Sequence, residues 1–328
     1  MRIAVDMLGG DYAPDELIIG VADAIADGHF TADELLLVGP EDIIKSQLTE
    51  AGISSIPEII HTVDVIEGHE KPIEGMRNKP DASILKAVAA CREGQAAGIV
   101  AFGNTGAAVA ASMIGLGLLP GVRRPGIAVT LIGANGKFVL LDAGANPTPK
   151  PEHLFHYGLM GAAYSRDMHN HDNPTIGLMN IGGEASKGSP MLQEVHARFS
   201  EATDLNFVGN VEGNELFSGT ADVLVTDGFV GNMVLKVVEG FGERMIQVGH
   251  EQGHDVQMKD VVRQLLGVSD FSEAGGANLL GVNGVVLIGH GRSRASSVLP
   301  ALEIVRADIR AGVNQHIVDS LEAHKQNS

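Results

Sequence analysis

Residues 99–119, IVAFGNTGAAVAASMIGLGLL, decide the fold of this chain. An apolar run at 99–101 is followed by a glycine-rich turn and then by small and apolar residues at helical spacing. A strand, a tight turn and a helix form the repeating unit of proteins in which helices cover a mainly parallel sheet. The apolar stretch at 107–119 is shorter than the ~20 residues that cross a membrane, so we expect a buried core helix.

The same alternation of strand-like and helix-like segments extends through most of the chain and predicts an α/β fold. An antiparallel hairpin is predicted at 127–132 and 137–141, because Asn135-Gly136 between them is a strong hairpin signal. The sheet is therefore predicted to be mixed. The other predicted strands are at 3–5, 34–38, 99–101, 175–179, 223–226 and 285–288.

No linker, low-complexity tract or internal repeat divides the sequence. Residues 1–328 are therefore predicted to form a single domain, or two interleaved lobes around a cleft. The segment 249–275 is the most irregular, and an apolar helical stripe at 256–268 lies within it. We expect this helical segment to make a dimer, partner or membrane contact.

Composition excludes several classes of protein. The net charge is −18 and no basic run offsets it, which argues against nucleic acid as a partner. The strand-like start lacks the features of a signal peptide, so a cytoplasmic location is expected. The common nucleotide-binding glycine motifs, the His-Glu-x-x-His zinc motif and the Gly-x-Ser-x-Gly elbow are all missing, and we expect neither a metal nor a cofactor.

Small and polar residues follow several predicted strands, where α/β folds place their ligands. The turn after 99–101 offers backbone N–H groups and a helix N-terminus to an anion such as phosphate. Helix capping without any ligand explains this turn equally well. Its candidate phosphate-binding residues are Gly103, Asn104, Thr105 and Gly106.

A second such loop, residues 142–146, leads to a helix that is predicted to begin at Pro151. Asn146 can donate a hydrogen bond. Lys150 places a charge at the helix entrance and is a further candidate phosphate-binding residue. His153 falls in the first turn, where the helix dipole favours a neutral imidazole that could act as an acid or base. A capping or core histidine is the alternative.

Three further loops offer candidate residues for the substrate cleft. The loop 180–188 presents Glu184 and Lys187 three residues apart, a spacing that a surface ion pair also explains. The loops at 209–213 and 226–232 combine glycine with Asn or Asp, and 289–293 places a histidine between glycines. The candidates are Glu184, Asp227, Asn232 and His290.

Nine motifs in one order resemble the bacterial phosphate acyltransferase family, PlsX. The resemblance covers nearly the whole chain. One departure is Phe102, where a small residue is expected. The motifs are MLGGD (7–11), GNTGA (103–107), LLDAGAN (140–146), KPEHL (150–154), NIGGEASKG (180–188), FVGNVEG (207–213), VTDGFVGN (225–232), LLGVNG (279–284) and GHGRS (289–293).

The resemblance implies transfer of a long fatty acyl group from acyl carrier protein to inorganic phosphate, giving an acyl phosphate for phospholipid synthesis. It implies the three-layer α/β/α fold of isopropylmalate dehydrogenases and phosphate acetyltransferases, with a mainly parallel mixed sheet. It also implies a homodimer in the cytoplasm, peripheral contact with the membrane, and a downstream glycerol-3-phosphate acyltransferase.

Phosphate and a thioester need no covalent enzyme intermediate, because phosphate is a nucleophile and a thiolate leaves readily. We therefore assign catalytic roles to Lys187, His153 and Asn146. Because the chain is acidic, we also predict a local basic patch that docks the acidic carrier protein. It is drawn from Lys86, Arg123, Arg124, Lys259, Arg263, Arg292 and Arg294.

Two other functions stay open from the sequence. A phosphate acetyltransferase or butyryltransferase would use an acyl-CoA donor on a similar fold. A noncatalytic, membrane-associated scaffold of lipid synthesis would use the 256–268 stripe and have no turnover.

Overall fold

The structure is a computed structural model that describes residues 1–266 and 275–327. The chain divides into two compact units, and each unit is assembled from two separate segments. The first unit comprises Met1–Gly117 and Phe271–Arg310; the second comprises Leu118–Asp270 and Ala311–Ser328.

The first unit contains a mainly parallel sheet. Its described strands are β1 (Ile3–Asp6), β2 (Leu35–Gly39), β3 (Glu58–His61), β4 (Gly98–Phe102), β10 (Ala277–Leu280) and β11 (Val285–Gly289). They lie in the order β3-β2-β1-β4-β11-β10, and only the pair β10–β11 is antiparallel. Strands β1, β2, β4 and β11 are buried along their whole length, as is typical of parallel strands covered on both faces.

Helices flank this sheet. They are α1 (Asp15–Ala26), α2 (Glu41–Glu50), α3 (Pro72–Asn78), α4 (Ser83–Arg92), α5 (Thr105–Gly115) and α10 (Ala295–Ala311). The core between them is built from side chains that are almost fully buried, among them Val5, Leu37, Val100 and Leu287. Helix α5 lies in the stretch where a core helix was predicted, and it ends at Gly115.

The second unit repeats the plan. Its described strands are β5 (Gly126–Gly133), β6 (Gly136–Leu141), β7 (Thr175–Met179), β8 (Asn206–Val211) and β9 (Val223–Val225), and its helices are α6 (Pro151–His169), α7 (Pro190–Glu201), α8 (Gly228–Glu251), α9 (Asp255–Leu266) and α11 (Val313–Asn327). The strands lie in the order β5-β6-β9-β7-β8, and only β5–β6 is antiparallel. The predicted hairpin and the predicted mixed, mainly parallel sheet are both confirmed.

Three strands were not predicted: β3, β8 and β10. The loop predicted at 209–213 is partly wrong, because residues 209–211 belong to β8. Gly209 has a φ of 96°, and the register between β7 and β8 shifts at Ile176 and Gly177. A glycine at such an irregularity interrupts the strand pattern in the sequence.

The irregular segment 249–275 is described up to residue 266; its remaining part falls outside the described residues except for the last one. It contains the end of α8 and all of α9. In α9, Val262 and Leu266 are buried while Val256 and Leu265 are more than half exposed. Over the described ranges, no helix has both the length and the apolar character that crossing a membrane requires.

Candidate active site

In the first unit, the loops that follow β1, β4 and β11 meet at one edge of the sheet. These strands are adjacent and parallel, so their carboxyl ends lie side by side. The N–H of Asp11 donates to the carbonyl of Gly291 at 2.8 Å. A Cβ on Gly9 would overlap the Phe102 carbonyl, so only glycine allows this approach.

Phe102 itself fills the space beneath these loops. Its ring is 2% exposed, and Gly289 packs directly against it. A Cβ at Gly289 would overlap the edge of the ring. The large residue at position 102 is therefore accommodated by the absence of a side chain at position 289.

Asn104, a predicted phosphate ligand, is engaged within the protein. Its Oδ1 accepts the N–H of Ala107 at 2.9 Å and so caps α5. Its Nδ2 donates to the carbonyls of Glu67 and Glu70 at 2.8 and 3.0 Å. Both amide hydrogens are therefore used, and the remaining donors for an anion here are the first-turn N–H groups of α5.

Behind this loop, a cavity of about 10 Å³ is lined by residues that include Asp6, Ser83 and Asn104. That volume admits at most one water molecule. Any phosphate at the predicted residues Gly103, Thr105 and Gly106 must therefore bind on the outer side of the turn, and this assignment stays a prediction.

Asp6 is a buried acid that the sequence did not single out. Its carboxylate accepts the N–H groups of Leu8 and Gly9 at 3.0 and 3.2 Å and is 3% exposed. Burial raises the pKa of Asp6 to about 6, against the opposing effect of the nearby Ser83 hydroxyl and of the hydrogen bonds from these two amides.

Asp6 should make stability fall as the pH rises. Because the folded state holds the proton up to about pH 6 and the unfolded state releases it near 3.8, stability is lost as the pH rises through this window. The loss amounts to about 3 kcal/mol. In Asp6→Asn, whose amide oxygen can still accept both N–H groups, melting temperatures between pH 4 and 7 should lack this decline. A decline identical to that of the wild type would contradict the assignment.

His290 lies in the loop after β11, where its Nδ1 accepts the N–H of Arg292 at 3.1 Å. Nearby, the Arg294 guanidinium stacks over the Tyr12 ring at 3.8 Å and lies 3.4 Å from Glu16. These contacts join the start of α1 to the loop that holds His290. A role for His290 in substrate binding stays a prediction.

In the second unit, the carboxylate of Asp142 organises the loop after β6. It is fully buried, and its two oxygens accept the N–H groups of Ile127, Gly144, Ala145 and Asn146 at 2.7–2.9 Å. Burial raises the pKa of Asp142, and these four bonds oppose the rise. The backbone N–H groups of residues 144–146 therefore point inward at this carboxylate, so they do not face a bound phosphate.

Asn146 is held in the same way. Its Nδ2 donates to the Pro125 carbonyl at 2.6 Å and to the Tyr157 hydroxyl at 2.7 Å. Burial raises the pKa of Tyr157, so this phenol stays protonated. Because both amide hydrogens are used, Asn146 fixes the loop in this structure, and its predicted catalytic role would run through that positioning.

The first turn of α8 packs against the Asp142 loop. The N–H of Gly228 donates to the Asn146 carbonyl at 2.9 Å, and a Cβ at Gly231 would overlap the carbonyl of Asp142. Asn232 lies beside Gly144, with its nearest atoms 3.8 Å from the position of a Cβ there. The structure thus brings the predicted residues Asn146 and Asn232 to neighbouring positions.

Asp227, the other candidate in this segment, caps α8. Its Oδ1 accepts the N–H groups of Phe229 and Val230 at 2.9 and 2.8 Å. Both bonds are the usual N-cap interactions, so they account for Asp227 without a ligand.

Lys150 and His153 lie at the start of α6, which begins at Pro151 as predicted. The His153 Nδ1 accepts the N–H of Lys150 at 3.0 Å, which leaves the proton on Nε2 in the neutral ring. Burial lowers the pKa of His153; Glu152 opposes this effect, while Arg124 and Lys150 add to it. Burial thus favours the neutral imidazole, and Nε2 lies 3.8 Å from the Glu152 carboxylate. A role for His153 as an acid or base stays a prediction.

Lys187 and Glu184 form the expected contact, with Nζ and Oε2 3.7 Å apart. The loop around them is braced by two amides: Asn180 donates to the Lys187 carbonyl, and Asn210 donates to the Glu184 carbonyl. The Lys187 side chain is 46% exposed. An exposed ammonium on a braced loop can meet an anionic substrate without breaking a buried ion pair.

Comparison with known proteins identifies the family. A family model described as "Fatty acid synthesis protein" matches residues 1–316. A phosphate acyltransferase of Dictyoglomus turgidum is 39% identical over 332 aligned positions, which cover 98% of each chain. One from Desulforudis audaxviator is 39% identical and covers 100% of this chain and 98% of its own. The chain belongs to the phosphate acyltransferase family.

Solved structures agree on the fold of this chain. A phosphotransacetylase from Streptococcus pyogenes superposes with a TM-score of 0.65 at 18% identity, covering 95% of this chain and 94% of its own. The EutD phosphotransacetylase from Staphylococcus aureus superposes with a TM-score of 0.62 at 16% identity, with 94% of both chains covered. The fold class predicted from the sequence is confirmed. Because members of the phosphate acyltransferase family are enzymes, the noncatalytic scaffold is set aside.

Proposed function

We propose that the protein transfers a long-chain fatty acyl group from acyl carrier protein to inorganic phosphate and so supplies acyl phosphate for phospholipid synthesis. The family supports transfer of an acyl group to phosphate. The feature that favours a long chain over an acetyl group is an apolar groove beside α8.

The groove has a volume of about 440 Å³ and is lined by apolar side chains. Four of them are exposed by more than half, although large apolar side chains are normally buried: Phe229, Met233, Val237 and Phe241. From Phe229 to Phe241 the helix rises ~18 Å, a length suited to an extended long acyl chain. Leu216, Phe217 and Leu266 complete the groove.

The groove begins next to the predicted catalytic loops of the second unit. Phe229 follows the Asp227 cap by two residues, and the same helical turn contacts the Asp142 loop. An acyl chain lying along α8 would therefore place its carbonyl end near Asn146 and Asn232. A short acyl group needs no such groove.

In the reaction, a phosphate oxygen bonds to the thioester carbon, and the carbonyl oxygen becomes an oxyanion. Collapse of this intermediate breaks the carbon–sulfur bond and releases the carrier thiolate, which takes a proton. We assign charge neutralisation of phosphate or oxyanion to Lys187 and Lys150, and proton donation to His153 Nε2–H. Asn146 holds the loop, and no covalent enzyme intermediate forms.

The deciding assay measures acyl phosphate formed from palmitoyl-acyl carrier protein and phosphate, beside palmitoyl-CoA and acetyl-CoA, without added metal. Turnover confined to the carrier-bound donor supports the proposal. Turnover with acetyl-CoA would instead assign the chain to the acetyltransferase alternative, and turnover with none would overturn the assigned reaction.

The groove predicts a change in chain-length preference. In Met233→Trp, the indole should fill part of the groove, so kcat/KM for a palmitoyl donor should fall at least tenfold while a butyryl donor is unaffected. Ile43→Trp, at an exposed apolar position on α2, is the control and should change neither rate. Equal losses for both chain lengths would contradict the acyl assignment, as would a loss of dimer without any change in preference.

We also propose that the protein forms a homodimer and associates peripherally with the inner face of the membrane. The exposed Val256 and Leu265 of α9 support an apolar contact on this helix. Leu265→Glu should shift the mass in light scattering or reduce flotation with anionic vesicles. If neither changes, α9 makes neither contact. We propose that the acyl phosphate passes to a glycerol-3-phosphate acyltransferase, and a coupled assay with that enzyme tests this step.

A further inference from the structure

Most cations of this acidic protein lie against a carboxylate. The net charge is −18, and ion pairs neutralise lysines and arginines across both units. Several exposed cations in the described part of the chain have no such partner, and a cluster of them shows where an anionic surface could bind. The paired cations include Lys45, Lys79, Lys86, Arg198 and Arg294.

Four unpaired cations lie around the start of α6 in the second unit: Arg123, Arg124, Lys150 and Lys325. We call these four residues the α6 patch. All four are exposed. Among the residues that the structure describes, no carboxylate is within ion-pair distance of any of them, and Glu152 is the acid that acts most strongly on the adjacent His153.

Specific contacts hold the α6 patch together. The Pro125 carbonyl accepts hydrogen bonds from Asn146 and Tyr157, which ties the segment after Arg124 to α6. Lys325, on α11, has its Nζ 3.2 Å from the position of a Cβ on Gly121. The patch therefore joins the segment before β5, the start of α6 and the end of α11.

The positive charge of the α6 patch contributes to lowering the pKa of two histidines in the first turns of α6. Arg124 and Lys150 both lower the pKa of His153. Arg123 and Lys325 both lower the pKa of His156, which burial brings to about 4. The amino end of α6 adds its own partial positive charge. Because both rings stay neutral, the four exposed side chains provide the full charges of the surface.

A broad, exposed patch fits an acidic protein surface better than a small anion. The cations come from three separate elements and point into water, where screening weakens the hold of a single exposed cation on a free phosphate. Several rim charges acting together instead steer and orient an acidic partner.

We propose that the α6 patch docks the acidic surface of the carrier protein that delivers the acyl group. This inference rests on the proposed function, since it assigns the docking surface for that donor. The patch includes Lys150 and lies beside the Asn146 loop, so a carrier bound there would hold its thioester near the predicted catalytic residues.

The patch differs from the one predicted from the sequence. Lys86 is paired with Asp81 at 3.3 Å, Arg263 with Asp260 at 3.5 Å and Arg294 with Glu16 at 3.4 Å. Residue type alone does not show which cations are neutralised by a neighbouring carboxylate. Arg123 and Arg124 belong to the α6 patch, to which Lys150 and Lys325 are added. The other two predicted residues lie elsewhere, Lys259 on α9 and Arg292 in the loop after β11.

The test is a double charge reversal, Arg123→Glu with Lys325→Glu, which leaves Lys150 intact. The KM for palmitoyl-acyl carrier protein should rise about tenfold or more, with kcat and the KM for phosphate little changed. Added salt should raise the KM of the wild type more steeply than that of the variant.

The matched control is Arg77→Glu with Lys137→Glu, which changes the net charge by the same amount at two exposed cations outside the patch. It should leave kcat, the KM for palmitoyl-acyl carrier protein and the KM for phosphate near those of the wild type. An unchanged KM for the carrier-bound donor in the patch variant would overturn the inference, and so would an equal rise in the control. Failure of the wild type with every donor would instead overturn the proposed function.

Discussion

Replacing Lys187 with alanine should lower the turnover of acyl phosphate formation by about a hundredfold to a thousandfold. The ammonium is the exposed cation on the braced 180–188 loop, and its contact with Glu184 is loose at 3.7 Å. The negative charge of phosphate and oxyanion grows in the transition state, so the loss should appear in kcat more than in KM. Steady-state rates with phosphate and palmitoyl-acyl carrier protein measure it.

Two control variants distinguish the loss of the Lys187 charge from a general effect of replacing a lysine. Lys187→Arg keeps the charge and should recover part of the activity. Lys45→Ala removes a lysine paired with Glu41 on α2 and should leave turnover unchanged. The melting temperature of Lys187→Ala should match the wild type, because the side chain is nearly half exposed. Normal turnover in Lys187→Ala would remove this residue from the mechanism.

Gly231→Ala should destabilise the protein by about 3 kcal/mol or more. The added Cβ would overlap the carbonyl oxygen of Asp142, and backbone cannot move aside as a flexible side chain can. Relief requires α8 to shift away from the loop that Asp142 organises. Thermal unfolding should show a fall in Tm on the order of 10 °C, and activity should fall with it.

Gly240 lies on the same helix and provides the matched substitution. A Cβ there meets no atom within 4 Å, so Gly240→Ala should gain helix propensity of about 0.5–1 kcal/mol and raise Tm slightly. Opposite signs at the two glycines are the expected result. Similar small effects at both would show that the first turn of α8 is not packed as tightly as described.

The alternation of apolar runs with helix patterns was enough to predict most of the sheet. The strands that were missed have physical explanations. Strand β3 is partly exposed at the edge of its sheet, and so lacks a continuous apolar run. Strand β8 contains Gly209 in its interior, and β10 follows two glycines with positive φ. Each pattern is shorter or more interrupted than a sequence window resolves.

The candidate site was predictable as a set of loops but not as a set of partners. Residue type identified Asn104 and Asn146 as hydrogen-bond donors. In the structure, however, Asn104 donates to two backbone carbonyls, and Asn146 donates to a carbonyl and to the Tyr157 hydroxyl. Asp142 and Asp6 were missed as organising groups because burial cannot be read from one acidic residue beside glycines. Tertiary contact decides which polar group faces a ligand and which faces the backbone.

The contact between Phe102 and Gly289 has a consequence for variation within the family. Because the ring occupies the volume that any side chain at position 289 would need, the two positions are not independent. A methyl group at 289 becomes tolerable only after the ring at 102 has been trimmed, so the order of substitution matters. We therefore expect strong epistasis between the two positions, because a side chain at 289 should be accepted only together with a smaller residue at 102.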